Sequence, residues 1–195
     1  MAYTRPAAPG SLEPIEAFCN SARFLYGEDA FADLPSARAW LRGRGWSAAA
    51  NALDEPGVRR LYRVREAIRD HIADPGAKDA RTVLNDHARA VLKAPQWAPS
   101  GEALIPVAAQ EGIDTLIGAL LSTLAVEELA GRRARLKVCR SPQCRWLYYD
   151  RSPGNNSVWC SMNICGARHK MRSYRGRRGD GAPAQTPPDR PAERD

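Results

Sequence analysis

This chain contains no apolar run long enough to cross a bilayer. A spanning helix needs roughly 20 such residues, whereas the most apolar stretch, Leu116 to Val126, is far shorter. The opening residues lack a continuous apolar segment and are punctuated by Pro6, Pro9 and Pro14, so no signal peptide is expected and the reading is a cytoplasmic protein. Catalytic groupings are missing too. There is no nucleophile–base pair, no Gly-rich phosphate loop and no convincingly spaced carboxylate pair, and an enzyme is not expected. Histidine is scarce, with 3 in the chain, and His71 and His87 have no cysteine or carboxylate at ligand spacing. They are read as core or surface residues.

Acid is nearly absent from one quarter of the sequence. From Arg132 to Arg178 there are 13 Lys/Arg against a single acid, Asp150. Met1 to Gly131 carries 14 Lys/Arg against 17 Asp/Glu, and the residues from Gly179 onward carry 2 against 4. The net +7 of the chain is therefore concentrated in one segment. Such a concentration repels itself unless an anionic partner relieves it, and nucleic acid is the commonest such partner. A solvated basic surface is the alternative.

With 195 residues, 44% of them hydrophobic, the chain can bury one good core and carry a small appendage. The residues up to about Pro14 read as an extended arm. Ser36 to Gly43 reads as a short helix capped by Ser36. Val58, Leu61, Val64, Ile68 and Ile72 recur at helical spacing and predict an amphipathic helix from Glu55 to Ala73. A further helix is expected from Asp79 to Lys93. A small hairpin is expected within Pro95 to Gln110, with Pro106 on an edge. The segment Asp114 to Ala130, apolar nearly all round, is expected to be the central core helix. The Gly- and Pro-rich residues 179–195 read as a disordered tail.

What the chain does have is a patterned set of thiols. Cys139 and Cys144 are five apart, Cys160 and Cys165 are five apart, and together they read C-x4-C-x15-C-x4-C. Two matched pairs suit a closed tetrahedral Zn2+ site, since zinc favours four thiolates. Two disulfides or four buried thiols are the alternatives, and without an export signal disulfides are disfavoured. His169, four residues beyond Cys165, could replace one thiol. Cys19 stands apart and reads as a small buried hydrophobe, with a redox-sensing thiol as the alternative. Trp146 to Asp150 reads as a strand returning through Val158-Trp159, with Trp146, Tyr148 and Trp159 as a miniature core. A basic helix follows.

The segment Cys139-Arg140-Ser141-Pro142-Gln143-Cys144-Arg145-Trp146-Leu147 is followed by Asp150-Arg151-Ser152 and then Trp159-Cys160-Ser161-Met162. With Cys165-Gly166-Ala167-Arg168 and Lys170, it resembles the CGNR zinc-finger family. In those bacterial proteins the finger follows a mostly helical domain, ABATE, described as a stress-induced transcription regulator; Phe18-Cys19-Asn20-Ser21 is similar to that domain's opening. The resemblance implies zinc on the four cysteines and a basic helix on DNA. Ala167 departs from the family, which has Asn there.

The expected fold is mainly α with minor β: a helical domain over residues 1–131 and a treble-clef-like or ribbon-like finger over residues 132–178. The expected function is zinc-dependent binding of duplex DNA by a transcription regulator, with a small-molecule effector as one input. A protein-interaction module and an RNA binder are the rivals. The candidate nucleic-acid contacts are Arg168, Lys170, Arg172, Arg175, Arg177 and Arg178. At 100° per residue, Arg168, Arg172 and Arg175 form one stripe and Lys170 points away. Ile164, Ala167, Met171 and Tyr174 form an apolar face expected to pack on the hairpin.

Overall fold

The computed structural model describes residues 6–108 and 112–179, with side chains to residue 175. The tail expected to be disordered lies, beyond Gly179, outside the described residues. The chain divides between Cys160 and Ser161 into two compact units.

The first unit is built on a long helix, α4 (Glu55–Ala73), whose start is fixed by its cap: Asp54 Oδ1 accepts the Gly57 amide at 2.8 Å. Gly57 is required there, because a Cβ would sit 2.9 Å from that same carboxylate oxygen. The predicted stripe Val58, Leu61, Val64, Ile68 and Ile72 is buried. Around α4 lie α1 (Leu12–Cys19), α2 (Leu34–Gly43), α3 (Ser47–Ala52), α5 (Lys78–Val91) and α6 (Gly112–Leu129). The cap of α2 is Asp33, which accepts the Ser36 amide at 2.7 Å; Ser36, expected as the cap, is the residue being capped.

Leu116, Ile117, Leu120, Leu121 and Leu124 make α6 a core helix, although its final turns leave Val126 and Leu129 exposed. Gly118 lies against Val107, whose methyls occupy the space a Cβ would need. At the other end of the core, Phe18, Phe31, Trp40 and Trp46 form a chain of ring contacts with centroids 5.4 to 6.3 Å apart.

Among the described residues, three two-stranded antiparallel sheets decorate the helices. β1 (Ala22–Arg23) pairs with β2 (Glu28–Asp29), and β3 (Gln96–Trp97) with β4 (Ala103–Leu104). β5 (Leu136–Val138) pairs with β6 (Leu147–Tyr149) in the register Leu136 to Tyr149 and Val138 to Leu147. This corrects the predicted hairpin. The partner of β6 is β5, upstream of the first cysteine pair, and Val158-Trp159 forms no strand. The Leu136, Val138, Leu147 and Tyr149 face joins the helical core, and Leu136 and Leu147 are completely covered by it.

In the second unit a π turn, Met162–Gly166, leads into the final helix α7 (Ala167–Gly179). The Cys165 and Gly166 amides both donate to the Ser161 carbonyl at 3.0 Å, which tightens the chain around Cys165. Ile164 is half-buried, Met171 and Tyr174 are about half exposed and Ala167 is exposed, so the apolar face expected on this helix is only partly covered.

A candidate metal centre and its supports

The strand pair explains where the first two thiols sit. Cys139 and Cys144 close the turn of the β5–β6 hairpin, a knuckle held by backbone bonds. The Cys139 amide donates to Trp146 O at 2.8 Å, and the Cys144 and Arg145 amides donate to Ser141 O at 2.9 and 3.1 Å. Arg145 leaves the knuckle with φ 47°, a left-handed conformation unusual for a side-chain-bearing residue. Cys160 ends the loop that follows β6, and Cys165 is presented by the π turn.

The sulfurs of Cys139, Cys144, Cys160 and Cys165 all lie within 4.8 Å of one another, and all four residues are buried. Cys144 Sγ is 3.6 Å from Cys160 Sγ. Four thiolates at the usual Zn–S distance of about 2.3 Å form a tetrahedron with edges of about 3.8 Å, so the spacing fits zinc. All four are free thiols, which sets the disulfide alternative aside. His169, on α7, is outside the quartet and exposed.

Hydrogen bonds from Cys144 and Cys160 hold the Cys139 thiol well below its ordinary range, while Cys144 and Cys160 are pushed up by lying beside it. A divalent cation among the four sulfurs would favour their ionised form.

The finger's sole acid is a structural hub. Asp150 is 2% exposed; burial raises its carboxyl pKa, but Lys137 Nζ at 2.7 Å and the Ser152 and Ser157 amides at 2.9 Å bring it far below the usual range. Beside it Arg135 donates to the Asp150 and Ser152 carbonyls at 3.0 and 2.9 Å, and the buried Tyr148 hydroxyl donates to Ser157 O at 2.7 Å. Trp146 and Trp159, expected to share the miniature core with Tyr148, are half-buried.

Sequence reasoning missed the anchors that join this hairpin to the helices. Asn20 bonds the Leu147 backbone in both directions. Arg69, fully buried on α4, donates to the Arg145 carbonyl at 2.7 Å, to the Cys19 carbonyl, and to Glu66 at 3.1 Å. The Arg145 guanidinium in turn pairs with Asp70 and Glu66. Arg65, equally buried, grips Asp29 with both terminal nitrogens and lies 5.0 and 4.9 Å from the Phe31 and Tyr62 rings. Neither Arg65 nor Arg69 stands out in the sequence, where each is simply a cation at a position that helical periodicity places beside the apolar stripe.

Family comparison follows the same division. The model described as "Putative stress-induced transcription regulator", ABATE, matches residues 12–132, and the CGNR zinc finger model matches residues 135–178. The chain belongs to the ABATE family. Both models are of regulator and zinc-finger type, and neither is an enzyme family. No curated protein shows a significant match. Among the described residues, no helix of this ABATE protein is long and apolar enough to cross a membrane.

The remaining candidate residues lie on α7. Arg168, Lys170, Arg172 and Arg175 are exposed there, whereas the side chains of Arg177 and Arg178 lie outside the described residues. Cys19 is completely buried, and burial pushes its thiol up to about 12, the opposite of a reactive sensor. His71 meets Glu128 at 2.7 Å, and His87 accepts from Arg60 Nε at 3.3 Å, so both sit in polar pairs away from the cysteines.

Proposed function

We propose that this protein is a zinc-dependent transcription regulator that binds duplex DNA through residues 132–178, with Cys139, Cys144, Cys160 and Cys165 as the zinc ligands. Zinc there would serve as a structural staple, fixing the knuckle and the start of α7. The observation that carries the reading is α7 itself, which follows the last ligand directly and exposes Arg168, Lys170, Arg172 and Arg175 with no acid between Arg168 and Arg178. Phosphate contacts from these cations would supply most of the affinity, and a few base-edge contacts any specificity. Residues 1–131, with their acidic balance, take the signal-receiving role, and a small-molecule effector is one input compatible with it. No catalytic role is assigned to any residue.

The test is competition between labelled duplex DNA, structured RNA and heparin for the zinc-loaded full chain. Preference for duplex supports the proposal. Equal competition by all three polyanions, or preference for RNA, overturns the assignment to DNA. Absence of binding to any of them favours a protein-interaction role.

A further inference from the structure

The 13 cations of the finger segment are not equally available. Seven of them, from Arg132 to Arg151, precede Cys160, and six of those seven are engaged within the protein. Arg132 makes a two-pronged pair with Glu127 at 2.8 Å. Arg133 meets Glu128 at 2.9 Å, and Arg135 holds the Asp150 and Ser152 carbonyls. Lys137 is bonded to Asp150 and to the Asn155 carbonyl. Arg145 pairs with Asp70, and Arg151 donates to the Pro6 and Ala7 carbonyls at 3.2 and 2.6 Å.

Arg140 is the exception. It is exposed, and its guanidinium has no hydrogen bond or ion pair among the described residues. Its backbone is nonetheless fixed, because its amide donates to Val158 O at 3.0 Å and it sits inside the bonded knuckle. It borders an open surface cavity of about 660 Å³ that it shares with Val138, Pro142, Ser157 and Val158. The two other cations lining that cavity, Lys137 and Arg145, are the engaged ones. No acid of the finger competes for Arg140, since Asp150 is buried and paired.

We infer that the zinc knuckle is itself part of the nucleic-acid interface, with Arg140 as a phosphate contact outside the last helix. This rests on the DNA-binding reading above. A fixed stem with an unpaired guanidinium is the arrangement that gives a charge-assisted bond to phosphate without first breaking an internal one. The same reasoning limits the electrostatics. Arg140 and the cations from Arg168 onward, seven at most, set the upper limit on phosphates neutralised once the engaged six are set aside, so the slope of log K against log salt should be no steeper than about −6. If every cation of the segment took part it would approach about −12.

The experiment measures binding of a labelled duplex to the zinc-loaded full chain at several salt concentrations. Variants are Arg140→Ala, Arg140→Lys and, as an engaged-cation control, Arg151→Ala, each checked for zinc content and melting temperature. Arg140→Ala should weaken binding several-fold and reduce the slope by about one, Arg140→Lys should restore the slope, and Arg151→Ala should leave it unchanged. A wild-type slope near −12, or an unchanged slope for Arg140→Ala in a protein that still binds duplex, overturns this inference alone. Loss of slope in Arg151→Ala equal to that in Arg140→Ala also overturns it. A wild-type chain that binds no duplex removes both this inference and the reading beneath it.

Discussion

Asn20 pairs with Leu147 as though it were a short piece of strand. Its side-chain nitrogen donates to the Leu147 carbonyl at 2.9 Å, and its side-chain oxygen accepts the Leu147 amide at 2.9 Å. One amide side chain at the end of α1 thus satisfies both backbone groups on the edge of β6, next to the zinc knuckle. Asn20→Ala should cost about 2 to 3 kcal/mol, because two bonds are lost and two backbone groups are left without partners. For a chain of this size that lowers the melting temperature by roughly 5 to 10 °C in a thermal scan. An unchanged melting temperature would show that the pairing carries no stability.

Metal should matter beyond the finger. Elemental analysis of reduced, metal-replete protein should find one zinc per chain, with each of Cys139→Ser, Cys144→Ser, Cys160→Ser and Cys165→Ser losing it and Cys19→Ser keeping it. Because Leu136 and Leu147 belong to the helical core, chelation should also lower the melting temperature followed by helical circular dichroism. A helical transition indifferent to chelator would separate the knuckle energetically from the helices.

Stability at high pH should depend on Cys19. Its folded-state pKa, about 12, lies above the ordinary thiol value, so its contribution is complete below the unfolded pKa near 9. As pH rises beyond that value the unfolded chain ionises first, and the contribution falls by about 1.4 kcal/mol per pH unit until the folded thiol titrates. Denaturant titrations from pH 8 to 11 should therefore show Cys19→Ala with a shallower decline than the parent. Parallel declines would assign the alkaline loss to other groups.

On α7, Arg168→Ala, Arg172→Ala and Arg175→Ala should each weaken duplex binding by roughly three- to tenfold and lower the salt slope by about one, while Lys170→Ala does less. Helical geometry sets Lys170 on another side of the turn from that stripe. Equal losses at all four positions would mean a diffuse basic surface.

The sequence was most readable where one segment carried its own periodic signal. The stripe of α4 and the repeated five-residue cysteine spacing both lie within short windows, and both correspond to what folds. α1 was hidden by Pro14, which reads as a breaker yet sits in the helix's first turn, where its missing amide costs nothing. β5 was hidden because three residues, Leu136-Lys137-Val138, are too few to show alternation, and arginines surround them. The engagement of the finger's cations was beyond local reading altogether. Arg145 finds Asp70 75 positions upstream, and Arg151 finds Ala7 144 positions upstream. Charge counted along a segment therefore overstates the charge it presents.

The burial of Leu136 and Leu147 also decides how this molecule can be taken apart. A cut near residue 132 follows the family boundary, yet it would strip two leucines from beneath α1 and α4 and take from Asn20 and Asp70 their partners in one stroke. The released fragment would carry a bare greasy strand face, and the remaining helices a matching scar. Anyone borrowing this finger as a transplantable module would need to bring the floor it stands on.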